Sequence, residues 1–213
     1  MIWRTWMRSA RGGFAAGLRL AARPVLDAQQ HAWESGGHPG TLLAGAVTRS
    51  LLNALAGRAH IRTPAPGDLV VMQDGERLTV FRRMYLDAVG QPAPAGEFRV
   101  RFRTQMAPRL NQWFSWLTIP LFSGLPGFRD KTWLADEASG FSAGIYHWQS
   151  VADAARYARS PAPGFMTRRS LPGTASYWVG PAGADLTRPW PPGQPEPGSR
   201  DPAPVNDAPF GPR

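Results

Sequence analysis

The sequences LPGFRDKTW at residues 125–133 and GIYHW at residues 144–148 decide the fold. Both stretches are rich in aromatic residues, and a short loop around residues 137–140 separates them. They predict two adjacent strands, because aromatic residues favour the pleated, half-buried surface of a sheet. Since side chains at alternate strand positions point to the same face, the aromatic side chains of this pair are expected to line a small apolar pocket.

The residues before the strand pair predict a strand and a helix. Residues 97–103, EFRVRFR, alternate apolar and charged side chains. This period of two predicts a half-buried strand with Phe98, Val100 and Phe102 facing the core and the three arginines facing outward. Residues 109–122 have the apolar spacing of an amphipathic helix, which a proline disturbs near its end.

The residues after the strand pair predict a second helix and a last strand. The sequence SVAD at residues 150–153 is similar to a capping box, with Asp in place of the usual Glu or Gln, and predicts where the helix starts. Residues 173–179 predict the last strand. The resulting order of strand, helix, two strands, helix and strand is the ferredoxin-like arrangement of α+β proteins, and it predicts a domain at residues 97–180.

Three other segments flank this domain. Residues 1–62 are predicted to form a helical extension, which the sequence GGHPG at residues 36–40 interrupts. Residues 63–96 predict a linker and an added β-hairpin, because they hold an Asp-Gly turn signal between two apolar runs. Residues 181–213 are rich in proline and poor in apolar residues, so they predict a disordered tail.

Composition excludes several functional classes. The net charge is +9, but the basic residues are scattered and form no recognisable nucleic-acid motif, so no nucleic-acid partner is expected. The chain has no Cys, and its four His show no metal-ligand spacing, so neither a metal nor another cofactor is predicted. We expect a cytoplasmic protein. Residues 1–23 carry tryptophans and arginines that suit a membrane surface, although a helix packed on the core suits them better.

Four short motifs carry a resemblance to a known family. They are Pro126–Gly127–Phe128, then Lys131 with Trp133, then Gly144–Ile145–Tyr146, and the sequence AARY at residues 154–157. In these residues the chain resembles the YdhR-type monooxygenases of the dimeric α/β-barrel superfamily, which also includes the antibiotic-biosynthesis monooxygenases. The resemblance covers residues 97–180. It implies a homodimer whose two four-stranded sheets face one another, with a pocket between each sheet and its helices.

The resemblance also implies an activity. Cofactor-independent monooxygenases of this superfamily act on a small hydrophobic or aromatic molecule, which supplies electrons to oxygen once it is deprotonated. Such a site needs aromatic walls and a polar group that favours the anion. The expected walls are the side chains of Trp113, Trp116, Phe128, Trp133, Tyr146 and Trp148.

Lys131 and His147 are the candidate catalytic residues. Lys131 shares a strand face with Trp133, where its ammonium group would stabilise a phenolate or an enolate. His147 is a candidate base, because the ordinary pKa of histidine suits proton abstraction near neutral pH.

Each candidate residue also has a structural alternative. Trp133, Tyr146 and Trp148 suit the core or a dimer interface equally well. Lys131 suits a solubility charge at a strand edge or an ion pair with Asp130 or Glu137, and His147 suits a surface or an interface. Because no firm acid–base pair stands out, a non-catalytic binder of apolar ligands with the same fold is the alternative function. An interaction or membrane-surface protein built on the N-terminal helices is a third.

Overall fold

The structure is a computed structural model, and it describes residues 2–64, 68–71, 77–87, 90–104, 106, 108–136 and 138–183. The described residues form an α+β chain, as predicted. The helices are α1 (Ile2–Ser35), α2 (Pro39–Leu55), α3 (Pro108–Ser123), α4 (Val151–Arg159) and α5 (Pro161–Arg168). The strands are β1 (Ala59–Arg62), β2 (Leu69–Val71), β3 (Arg77–Leu86), β4 (Gly96–Arg103), β5 (Phe128–Ala135), β6 (Phe141–Trp148) and β7 (Ser176–Pro181).

All of these strands belong to one antiparallel sheet. Its main path runs β1-β3-β5-β6-β4-β7, and β2 pairs with β3 beside this path. The two aromatic stretches form β5 and β6, where Lys131 lies opposite Tyr146 and Trp133 opposite Gly144. Between residues 96 and 181 the chain order is β4, α3, β5, β6, α4, α5 and β7, and the four strands of this part lie in the order β5-β6-β4-β7.

The hairpin and two helix starts follow the sequence signals. β2 and β3 pair antiparallel, although the predicted turn between them lies outside the described residues. The Ser150 hydroxyl accepts a hydrogen bond from the Asp153 N–H at 3.1 Å, which caps α4 at the predicted position. α2 begins with Pro39 after the break in the N-terminal segment. The predicted disordered tail falls outside the description from residue 184 onward.

The main core lies on one face of the sheet, and the helices that contact the sheet pack on this face. Tyr157 of α4 lies edge-on to Phe98, with ring centroids 5.0 Å apart, and beside Trp148 at 4.9 Å. Phe122 of α3 contacts Tyr146 at 5.6 Å. We call this the helix face, and the opposite side of the sheet the second face.

The structure differs from the predictions in four places. The last residues of the segment expected to be helical form β1, which gains backbone hydrogen bonds by pairing with β3. α5 was not predicted, although the Ser160 cap and the proline that follows it are signals of a helix start. Pro120 lies within α3, which continues to Ser123. Arg99 on the second face was expected to face solvent, but it is buried because it pairs with the buried carboxylate of Glu97.

Candidate functional site

A cavity of about 70 Å³ lies between the helix face of the sheet, α3 and α5. Lys131 and Trp133 of β5 and Tyr146 of β6 line it together, so the structure brings three of the predicted site residues to one place. Its other walls come from α3 and α5, through Phe114 and Met166 among others. The cavity is therefore a partly aromatic space that residues of the strand pair line together with residues of β3, β4, α3 and α5.

Lys131 is the only side chain from the predicted catalytic pair that reaches this cavity. Its Nζ lies 4.2–4.4 Å from the ring centroids of Phe122, Trp133 and Tyr146. Only 5% of the residue is exposed, and no carboxylate of the described residues lies within ion-pair distance of it. Lys131 is thus neither a solubility charge nor half of an ion pair with Asp130, which bonds to His147 on the second face.

The surroundings of Lys131 favour its neutral form. Burial lowers the pKa of Lys131 well below its ordinary value, and the positive charge of Arg82 lowers it further. The three rings act in the opposite direction, because their negative faces attract a cation. The result is a buried amine that can accept a proton and whose charged form has aromatic partners in place.

Arg82 is a second buried cation beside the cavity. Its guanidinium lies 3.8 Å from the ring centroid of Trp116 and 5.7 Å from that of Trp133, and it donates hydrogen bonds to the Ser115 hydroxyl and the Gln112 carbonyl. These contacts hold Arg82 against α3. The ring of Trp133 therefore lies near both the Arg82 guanidinium and the Lys131 amine.

A third cation lies toward α5. Arg169 lines the cavity, and its guanidinium lies 3.6 Å from the ring centroid of Phe114 and 5.4 Å from that of Phe165. The described lining residues include no Asp or Glu. An anion with an aromatic body would consequently meet positive charge and rings here, without a competing carboxylate.

Two other residues of β6 shape the cavity. Gly144 lies opposite Trp133, and a Cβ at this position would meet Tyr146 Cε2 at 3.0 Å and Lys131 Cε at 3.5 Å. The absence of a side chain therefore leaves room in front of Lys131. The Tyr146 hydroxyl lies 3.7 Å from Met166 Sδ, and burial raises the pKa of Tyr146 well above its ordinary value, so this hydroxyl stays protonated.

The other predicted wall residues lie elsewhere. Trp113 is 61% exposed and Trp116 is 45% exposed, so neither closes the cavity. α3 turns Ser115 toward the sheet instead, since the helix is apolar on most sides and its spacing does not select one face. Phe128 and Trp148 pack in the core with ring centroids 5.6 Å apart, and they do not line this cavity.

His147 lies on the second face, away from the cavity. Its Nδ1 lies 2.7 Å from Asp130 Oδ1 and its Nε2 lies 3.3 Å from Glu97 Oε2. Burial alone would lower the pKa of His147, but the hydrogen bonds and charges of Asp130 and Glu97 outweigh it and raise the pKa to about 9. The raised pKa favours the protonated imidazole at neutral pH, and His147 does not line the cavity. The role of His147 as a general base stays a prediction.

Sequence reasoning missed the other polar residues in and beside the cavity. The register of β3 against β5 shifts between Val80 and Arg82, and no local sequence pattern predicts this shift. Arg169 follows the unpredicted α5. Asn111 donates to the Ser142 hydroxyl at 3.0 Å across the cavity wall, a pairing between distant segments.

Comparisons with known proteins leave the family open. No protein-family model matches the chain, and neither the curated proteins nor the solved structures include a match. Within the described part of the chain, no helix is both long enough and apolar enough to cross a membrane. The predicted membrane contact rests on residues 1–23, of which the side chains up to residue 16 lie outside the description.

Proposed function

We propose that this chain is a YdhR-like, cofactor-independent monooxygenase that acts on a small hydrophobic or aromatic molecule. The observation that carries the proposal is the buried amine of Lys131, which faces three aromatic rings in a cavity without a carboxylate among its described lining residues. A neutral amine in this place is suited to accept a proton from a phenol or an enol.

The proposal includes the ferredoxin-like fold and its dimer. The order β4, α3, β5, β6, α4 and β7, with neighbours β5-β6-β4-β7, corresponds to the split β-α-β arrangement and supports this assignment. The second face carries a cluster of apolar residues that are already buried within one chain, among them Leu134 and Ile145. The homodimer therefore rests on the resemblance of residues 97–180, and we propose that the second faces of two copies meet in it, which light scattering would reveal as twice the chain mass.

The proposed first step is proton transfer to Lys131. The substrate ring enters between Trp133 and Phe114, and its acidic O–H or C–H proton passes to the neutral Nζ. The resulting ammonium group lies against the rings of Phe122, Trp133 and Tyr146, and its charge stabilises the substrate anion that it has just created. Arg169 adds positive charge at the same cavity.

The proposed second step is the reduction of oxygen by the substrate anion. In a phenol with a single ring, one ring C–H, the O–H and one O₂ become the two carbonyl groups of a quinone and one water molecule. The substrate supplies all the electrons, one oxygen atom stays in the product, and the other leaves as water. The proton held by Lys131 is returned to the leaving oxygen, so the amine is regenerated.

Oxygen consumption with single-ring phenol and quinol substrates tests the proposal. The Lys131→Met variant keeps the length of the side chain but has no base, so we expect turnover to fall by about a hundredfold or more while substrate binding changes little. The wild-type rate should rise as the pH passes the lowered pKa of Lys131. Unchanged turnover in Lys131→Met would exclude the amine from the mechanism.

A matched pair of tryptophan variants separates the cavity from the surface. Trp133→Ala removes a cavity wall and should weaken substrate binding, whereas Trp113→Ala removes an exposed ring and should leave it unchanged. Mass spectrometry of the incubated substrate distinguishes the alternative function. If ligands bind in a Trp133-dependent way but no product forms, the chain is a non-catalytic binder and the monooxygenase proposal fails.

A further inference from the structure

A second, larger cavity of about 360 Å³ lies at the start of β5, next to α1 and α2. It does not share a lining residue with the aromatic cavity. Four arginines line it, namely Arg19, Arg49, Arg58 and Arg129, and Asp87 is the one acidic residue among the described lining. Its apolar wall includes Leu52, Leu125 and Phe128.

Arg129 is the unusual residue of this cavity. It lies at an irregularity of β5, because Phe128 pairs with Trp148 and Asp130 with His147, which leaves Arg129 without a partner residue in the ladder. A bulge of this kind re-aims one side chain relative to its strand. Gly127 just before it has φ +77°, a conformation that favours glycine, and its carbonyl accepts a hydrogen bond from the Gln149 N–H at 2.7 Å.

The guanidinium of Arg129 is buried without enough partners. Only 7% of the residue is exposed, yet its Nε and Nη2 are both buried and make no hydrogen bond. Asp153 is the nearest charge that acts on it, but that carboxylate already accepts from Arg156 at 3.0 Å and from Ser150 at 2.7 Å. An unsatisfied buried guanidinium is costly, so its persistence points to a group that completes it.

The other charged residues around the cavity increase its positive charge. Arg49 donates through Nε to Gln29 Oε1 at 3.0 Å, and the Gln29 amide donates to the Gly124 carbonyl at 2.9 Å, which fixes the guanidinium in place. Asp87 pairs with His60 at 2.9 Å. Among its described lining residues, the cavity thus holds four arginines against one carboxylate.

We propose that this cavity binds the phosphate group of a small phosphorylated molecule. A phosphate dianion offers enough charge and enough acceptor oxygens for the free N–H groups of Arg129 and for the neighbouring arginines, whose planar forks match its geometry. The rest of the lining includes leucine and phenylalanine side chains. The volume of the cavity and these apolar side chains suit a small organic group attached to the phosphate. This inference does not rest on the proposed monooxygenase activity.

Titration calorimetry of the full chain with inorganic phosphate and with phenyl phosphate tests the proposal. Sodium chloride at equal ionic strength controls for general screening by the basic surface. We expect saturable binding of both phosphates and tighter binding of phenyl phosphate, because its ring contacts the apolar wall. Benzoate, which carries one charge, should bind at least about tenfold more weakly than phenyl phosphate.

Three variants decide whether the arginines form the site. Arg129→Met should weaken phenyl phosphate binding by about tenfold to a hundredfold. Arg159→Met, an exposed position at the end of α4, is the matched control and should bind as the wild type does. If Arg129→Met does not fold, Arg58→Met at the exposed rim replaces it, with an expected loss of about threefold to tenfold.

Several results would overturn the proposal. They are the absence of saturable phosphate binding beyond the chloride control, equal affinities of the cavity variant and the Arg159→Met control, and binding of benzoate as tight as that of phenyl phosphate. The last result would assign the cavity to carboxylates instead.

Discussion

Lys131 and His147 lie on neighbouring strands, one register position apart, but on opposite faces of the sheet. Lys131 faces three aromatic rings and has no carboxylate within ion-pair distance among the described residues. His147 has the carboxylates of Asp130 and Glu97 on its two ring nitrogens. The pKa of Lys131 is lowered well below its ordinary value, whereas the pKa of His147 is raised to about 9.

The difference shows that burial by itself favours the neutral form of a base, and that paired carboxylates can reverse this preference. Burial disfavours the charged form of both groups. Two carboxylates overcome this effect at His147, while the rings around Lys131 do not overcome it. The two residues therefore have opposite uses. The protonated His147 ties β4, β5 and β6 together through charge, whereas the lowered pKa of Lys131 makes its amine easier to deprotonate and so favours its use as a base.

The same difference gives the two groups opposite effects on stability as pH changes. His147 has a raised pKa, so its contribution is fully present below about pH 6.5 and is lost as the pH rises through about 9. Lys131 has a lowered pKa, so the unfolded chain binds the extra proton. Its unfavourable contribution therefore fades as the pH rises toward its ordinary value of 10.5.

The largest effect is expected from breaking the charge network of the second face. Glu97→Gln removes the buried carboxylate that contacts both Arg99 and His147, and it leaves these cations without that partner. We expect the free energy of unfolding to fall by about 3–5 kcal/mol, measured by urea denaturation.

Asp27→Asn is the matched control for this variant. It breaks the exposed Arg23–Asp27 pair at 3.7 Å and should change the free energy of unfolding by less than about 1 kcal/mol. If Glu97→Gln costs no more than this control, the network does not stabilise the fold.

A pH series isolates the contribution of His147. The shift of its pKa from 6.5 to about 9 corresponds to roughly 3 kcal/mol of stability that should disappear between these two pH values. In His147→Gln this loss should be absent, so the difference between wild type and variant should shrink as the pH rises. His31→Gln, an exposed position on α1, should keep the wild-type profile. Parallel profiles for wild type and His147→Gln would show that the pKa is not raised.

Local sequence pattern predicted the helix-face half of this comparison. Lys131 and Trp133 lie two residues apart in one strand, so they share a face by strand geometry alone, and both reach the cavity. The start of α4 was predicted equally well, because the Ser150 cap depends only on residues within the first turn of the helix. Such features depend on residues that are close in sequence.

The second face was not predictable in the same way. One partner of His147 is Glu97 in β4, and this contact depends on the register between β4 and β6. A helix and a third strand separate these two strands in the chain.

Arg82 and Arg129 both lie at register irregularities, where the regular alternation of side chains between the two faces is interrupted. The buried face of α3 was misjudged at Trp113 for another reason, since apolar residues lie on several sides of this helix and their spacing does not identify which side packs on the sheet.

Lys131→Met tests how much the buried amine on the helix face lowers the free energy of unfolding. An apolar side chain of similar length needs neither deprotonation nor desolvation, so we expect the free energy of unfolding to rise by about 1–3 kcal/mol at pH 7. The gain should be smaller at pH 10, where the unfolded chain has lost part of its extra proton. Arg77→Met, at the exposed start of β3, should show no such pH dependence. A variant that is less stable at both pH values would contradict the lowered pKa.

Gly144→Ala makes the smallest change, since it adds one methyl group in front of Lys131. The new Cβ would lie 3.0 Å from Tyr146 Cε2, 3.4 Å from Val100 Cγ1 and 3.5 Å from Lys131 Cε. The crowding and the lower backbone entropy of the unfolded chain act in opposite directions, so we expect stability to change by less than about 1 kcal/mol. The methyl group takes up space in a cavity of only about 70 Å³, so phenol binding measured by calorimetry should weaken by about tenfold.

Gly17→Ala is the matched control for this methyl group, because a Cβ there meets no atom within 4 Å. It should leave phenol binding unchanged. Phenol affinity that is equal in the two alanine variants would mean that ligands do not occupy the space in front of Lys131. The buried amine of Lys131 would then have no role as a base, because no ligand would bring it a proton. It would differ from the His147 imidazole only in the side chains that surround it.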